Sequence, residues 1–181
     1  MSEHALLERV ARIKDDLAFC AADPRNKVKL QPVPASTLDQ LADTPDFPLD
    51  MHLILRHIGE MLEWGITGCA AMEWWTPCDI DLAREERRCF YDVRKVNFMN
   101  GDSLLFFAWD CDAKVYFYDT TTRPWKIVAS DGLGVSGLNL DQSDAVPDDP
   151  SNLPVTPWAE ELDFISLVEI WARWGRSCTK P

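Results

Sequence analysis

Three aspartates, Asp110, Asp112 and Asp119, bracket the stretch "DCDAKVYFYD", and carboxylates brought within a few ångströms of each other are the raw material of general acid and base pairs. That chemistry would read as a hydrolase. The competing reading is structural and stronger: an aspartate at a strand end caps the following turn by accepting from nearby backbone N–H groups. Calcium is the other chemistry such a stretch suggests, but an EF-hand loop needs alternating oxygen ligands, a glycine at its sixth position and a closing glutamate, which this stretch does not supply.

Other constellations fare no better. No Gly-x-Ser-x-Gly occurs, and the glycines of "DGLGVSG" are too irregular for a phosphate loop. His52 and His57 are five positions apart, about 500° around a helix, so they do not share a face. Cys20, Cys69, Cys78, Cys89, Cys111 and Cys178 form no Cys-x-x-Cys pair, which argues against a zinc knuckle or redox motif and for reduced, mostly buried thiols. The sequence therefore leads to the expectation of a protein that is not an enzyme and needs no cofactor or metal.

Charge points to the class of partner. The net charge is −12, which disfavours nucleic acid, whose binding draws on clustered Lys and Arg. From Ile127 to Ala172 there is no Lys, Arg or His, while Asp131, Asp141, Asp144, Asp148, Asp149, Glu160, Glu161, Asp163 and Glu169 fall inside that span. A field of one sign steers a partner of the other, so a basic protein surface is the expected complement; in many acidic proteins the same charge serves solubility. No run approaches the roughly 18 apolar residues of a membrane span, and the opening "MSEHALLERVARIKDD" lacks a basic head followed by an apolar stretch. A cytoplasmic protein without membrane association is expected.

The elements that must position these residues follow from periodicity. A chain of 181 residues with 46% hydrophobic content and eight Trp is long and apolar enough for one core. Leu6, Leu7, Val10, Ile13 and Leu17 make one stripe of an amphipathic helix over residues 5–19. "ADPRNKVKLQPVPAS" reads as an extended connector into a short helix near Ser36 or Thr37, which "TPDFPLD" ends. Leu49, Leu53, Ile54, Ile58, Met61 and Leu62 predict a third helix over 49–62. In "MEWWTP", read as a strand, Trp74 and Trp75 should point to opposite faces, one into the core and the other outward as an interface anchor.

"SLLFFAW", "VYFYD" and "WKIVA" form a meander of three strands, the first apolar on both faces. "LNLDQSDAVPDDPSNLP" is a long acidic loop. A closing helix is predicted from a Thr156 cap and Pro157 through Trp158, Leu162, Ile165, Val168 and Trp171, with Gly175 past its end. The expectation is one α+β domain over residues 1–181, a twisted, mostly antiparallel sheet flanked by N-terminal and C-terminal helices.

This order of elements, with the lead "LQPVPASTLDQLADTPDFPLDMHLILRHIGEM", the strands "LLFFAWDCDAKVYFYDTTTRPWKIVASDG" and the closing "TPWAEELDFISLVEIWARW", resembles the SUKH superfamily over residues 30–174. Trp109 and Asp110 match the end of that family's first strand, and Tyr118 and Asp119 the end of its second. The resemblance implies a protein-binding module. Many bacterial members are immunity proteins that neutralise protein toxins such as nucleases, while eukaryotic relatives serve in cell-wall regulation. A regulator or scaffold that binds a cellular partner and no toxin is the alternative. With either role, Trp74, Trp75, Asp110, Asp112, Asp119, Asp141, Asp144, Asp148 and Asp149 are the expected partner-binding residues.

Overall fold

In the computed structural model, residues 2–66, 72–78, 104–110, 115–130 and 163–179 are described. The chain divides into two compact units, Met1–Thr76 with Leu162–Pro181, and Pro77–Glu161. Helices and antiparallel strands together give the expected α+β class.

In the first unit, helix α1 (Glu3–Ala21) starts where the Ser2 hydroxyl accepts the Ala5 N–H at 3.4 Å, and it buries Leu6, Val10, Ile13, Leu17 and Cys20 along a single stripe. Strand β1 (Lys27–Gln31) follows, then α2 (Ala35–Ala42), α3 (Leu49–His57), β2 (Glu60–Gly65), β3 (Met72–Cys78) and, after the second unit, α4 (Phe164–Cys178). β1 pairs antiparallel with β2, and β2 with β3 through Met61 and Trp74. The stretch read as a connector therefore contains a strand. Its pairing with β2 supplies the order that its mixed, largely exposed side chains do not signal.

The predicted third helix stops early, at His57. Gly59 adopts φ 99° and lies so close to Gln31 that a side chain there would collide with the Gln31 carbonyl oxygen. Only glycine takes that conformation at little cost, so the chain turns and Met61 and Leu62 continue as strand.

α4 also departs from expectation. Asp163 has extended backbone and caps the helix, its carboxylate accepting the Ser166 N–H at 2.9 Å, so the helix begins at Phe164. Asp50 of α3 supplies a second acceptor to the same helix end, taking the Ile165 N–H at 3.0 Å. Thr156, Pro157, Trp158 and Leu162 lie outside the described residues. Gly175 is inside the helix and faces the Trp64 ring of β2, with no room for a Cβ.

The helices lie on the sheet through an aromatic cluster. Trp74 stacks on Trp171 at 6.3 Å and 13°, meets Phe164 edge-on at 6.3 Å and Trp64 at 6.5 Å, and donates its indole N–H to the Gly59 carbonyl at 3.0 Å. Trp75, on the other face of β3, is also buried, with 1% exposure. The expectation that one of the two points outward is thereby corrected: β3 is covered on both faces, so alternation sends each ring into a buried environment. The cysteine expectation is corrected in part: Cys20 is free and buried, but Cys178 is disulfide-bonded.

The second unit contains the expected meander, β4 (Leu104–Asp110), β5 (Val115–Asp119) and β6 (Lys126–Ser130). A bulge between Phe106 and Ala108 inserts Phe107, which stacks on Tyr118 at 4.5 Å, while Phe106 packs on Phe117 at 5.3 Å. Phe106, Phe107, Ala108, Tyr116, Phe117 and Tyr118 are all buried, so both faces of this hairpin are covered, as the continuous apolar run predicts.

Candidate interaction surface

The three aspartates around the hairpin do not gather as a set. Register pairs Leu104 with Asp119 and Trp109 with Val115, so Asp110 and Asp119 occupy opposite ends of the strand pair, roughly 20 Å apart at 3.4 Å per residue. No shared proton is possible between them at that range. Asp119 instead closes a turn: one carboxylate oxygen accepts the Thr121 N–H at 2.8 Å and the Thr121 hydroxyl at 2.6 Å, and the Thr122 hydroxyl donates to the Asp119 carbonyl at 3.0 Å. Asp112 lies outside the described residues, as does the side chain of Asp110. So do Asp141, Asp144, Asp148 and Asp149. Trp74 and Trp75, both interior, offer no surface.

Among the described residues the exposed tryptophan is Trp174. On α4 the buried face is formed by Phe164, Ile165, Leu167, Val168, Trp171, Ala172 and Gly175. Ile170 and Trp174, four positions apart, fall on the flank of that face and remain 50% and 45% exposed. Residues i and i+4 on a helix are surface neighbours, so an aliphatic and an aromatic side chain form one apolar ridge. The sequence contained the signal: continuing the stripe through Val168, Trp171 and Gly175 leaves Ile170 and Trp174 beside it. A stripe that ends at Trp171 stops short of it.

On its other flank this helix is tied to α1 by a set of charges. The Arg9 guanidinium donates to Glu169 Oε2 and to the Ser166 hydroxyl, both at 2.8 Å, and lies 3.8 Å from Asp163. Arg12 reaches the second Glu169 oxygen at 3.5 Å, and Arg176 pairs with Asp16 at 2.8 Å while covering the Phe19 ring at 4.5 Å. Burial pushes the Glu169 carboxyl upward, but the Arg9 hydrogen bond and the charges of Arg9, Arg173 and Arg12 outweigh it and leave it below its ordinary value. The hydrogen bond to Glu169 raises Arg9 in turn. These contacts run in the same order along both helices, from Arg9 with Ser166 and Glu169 to Asp16 with Arg176, so α1 and α4 are parallel.

Among the described residues, no group of three or more His, Cys, Asp or Glu is placed to hold a metal ion, and no helix is long and apolar enough to cross a membrane. The ion pairs of Arg9, Arg12 and Arg176 join α1 to α4, and that of Lys27 with Glu63 joins β1 to β2. The chain matches no family model, no curated protein and no solved structure.

Proposed function

We propose that this chain is a protein-binding module of the immunity type, which neutralises a basic protein toxin such as a nuclease by covering it. The observation that carries the reading is the Ile170–Trp174 ridge, a half-exposed tryptophan on a helix braced by ion pairs. Tryptophan is the residue type most enriched at binding hot spots, and a rigid helix presents it at little entropic cost. The acidic span from Ile127 to Glu161, which contains no Lys, Arg or His, would supply long-range attraction for a basic surface built to hold phosphate, while Asp163 and Glu169 are paired with Arg9 and Arg12. The resemblance of the element order to SUKH proteins supports the same role.

The division of labour is testable. Asp141, Asp144, Asp148 and Asp149 changed together to Asn should slow association and flatten its salt dependence, because exposed charges act over about 8 Å at physiological salt. Trp174→Ala should leave association nearly unchanged and speed dissociation. The experiment is isolation of the protein that co-purifies stoichiometrically with the chain from its own cells, followed by assay of that partner's toxicity or nuclease activity with increasing chain. A basic partner silenced at equimolar chain, with both variants behaving as described, supports the proposal. An acidic partner, or one whose activity the chain leaves intact, overturns it.

A further inference from the structure

The flank of α1 turned away from α4 borders a groove. Its apolar surface comes from Leu17 of α1, Val28 and Leu30 of β1 and Ile58 after α3, with Leu30 left 39% exposed. Ala18 and Ala21 keep the α1 wall low, and Lys14 and His57 stand among the lining residues. The volume is about 260 Å³.

Three observations narrow the occupant. Small-molecule sites usually span about 300–1,000 Å³, so this groove is on the scale of one large aliphatic or aromatic side chain and not of a whole ligand. Strand addition along β1 is opposed by the lysines on that strand and by the irregularity in its pairing between Lys29 and Leu30, devices that blunt sheet edges. Charge then selects the segment that carries the inserted side chain. In a chain of net charge −12, no carboxylate is among the residues lining this groove, while Lys14 and His57 are; burial and the nearby Arg56 and Lys14 charges push the His57 imidazole below its ordinary value, so Lys14 is the charged group of the lining and His57 a neutral ring able to donate. Lys14 and Arg56 make no ion pair among the described residues.

We propose that this groove docks an acidic segment of a protein partner, which seats one leucine- or phenylalanine-sized side chain against Leu17, Val28, Leu30 and Ile58 and places its flanking carboxylates beside Lys14 and His57. The site lies on the opposite flank of α1 from the α4 contacts and selects the opposite charge, so it does not depend on the immunity reading. It gives the chain a second specificity.

The test uses the full chain and a fluorescein-labelled hexapeptide with Leu and Phe at its centre and Asp and Glu on both sides, read by anisotropy at low salt. Saturable binding is expected, weakened about tenfold by Lys14→Glu, which turns one attraction into a repulsion. Ala18→Phe, at an exposed helical position, should fill the groove and remove binding without lowering the melting temperature. Amide shifts of the isotope-labelled chain on adding peptide should centre on Ala18, Leu30 and Ile58. Equal affinity for a peptide with Lys in place of its acidic residues overturns the charge assignment, and equal affinity with Ser at the two central positions overturns the apolar seat. Displacement of the peptide by equimolar decanoate would make the site one for small amphiphiles and overturn the proposal, as would concentration-dependent dimerisation that Ala18→Phe abolishes.

Discussion

Arg9 of the first helix and Glu169 of the last, 160 residues apart in sequence, meet in a 2.8 Å hydrogen-bonded ion pair whose side chains are only 15% and 13% exposed. Two parallel helices carry macrodipoles that repel at both ends, and a pair that crosses between them offsets part of that cost. Arg12, Asp163 and Ser166 extend the pair into a network, so its loss strips partners from several groups together.

Arg9→Ala and Glu169→Ala should each destabilise the chain by about 1–3 kcal/mol, between the values of exposed and buried pairs, with a coupling of about 1 kcal/mol in the double-variant cycle. Glu169 titrates below its ordinary value of 4.5, so the stability it contributes is fully present above pH 4.5 and is lost as pH falls through the lower value of the folded chain. Urea titrations of parent and Glu169→Gln from pH 7 to pH 3 should converge toward the acid end. A difference that stays constant across that range would remove the pair from the account.

Asp50 should behave in the opposite sense. Burial pushes its carboxyl up, the Ile165 N–H pulls it down, and the Asp163 charge adds to the upward push, for a net rise above 3.8. The folded chain therefore holds this proton more readily than the unfolded one, and the charged form is a cost that sets in as pH rises from 3.8 through the folded value. Asp50→Asn keeps an acceptor for Ile165 and removes the charge, so at pH 7 it should melt no lower than the parent, with its advantage shrinking in acid. Asp50→Ala loses the cap and should cost about 1 kcal/mol. Asn melting as low as Ala at pH 7 would show that the charge itself is needed.

Gly175→Ala should lower stability although alanine is the better helix former. Propensity favours the substitution by about 1 kcal/mol, but the new methyl would meet the buried, rigid Trp64 ring, and overpacking of a core costs about 1–3 kcal/mol. Differential scanning calorimetry decides the sign; a higher melting temperature would mean that α4 sits farther from β2 than described.

Trp74→Ala and Trp174→Ala should separate core from surface. Trp74 touches Trp64, Phe164 and Trp171 and should cost about 3–5 kcal/mol on truncation, whereas the exposed Trp174 should change stability by no more than about 0.5 kcal/mol. Comparable losses would return Trp174 to the core and withdraw it as an anchor.

The parts of the fold legible in the sequence are those where local pattern and tertiary environment agree. α1 shows its stripe from Leu6 to Leu17, and the hairpin from Leu104 to Asp119 shows unbroken apolar runs because both of its faces are covered. Elsewhere the decisive contacts are distant in sequence. The helical period through Ile58 and Met61 is real as a pattern, but the close approach of Gln31 to Gly59 ends the helix. Gly175 resembles a helix terminator until Trp64 is placed against it. Trp74 and Trp75 could be sorted only by knowing what covers each face of β3. Of the partner-binding expectation, Asp119 is a turn cap, the acidic loop from Asp141 to Asp149 lies outside the described residues, and the exposed tryptophan is one that the stripe had passed by.

The cover over Trp74 also dictates an order of events. Phe164 and Trp171, which close over its ring, are made after the entire second unit, so on the ribosome the sheet of the first unit waits through roughly 100 residues, about 5–20 s at ordinary elongation rates. During that interval a tryptophan face built for burial stands open. The nascent chain should therefore be a chaperone client until its last helix arrives, and a ribosome stalled before Trp171 should hold a first unit that binds hydrophobic dyes and yields to protease.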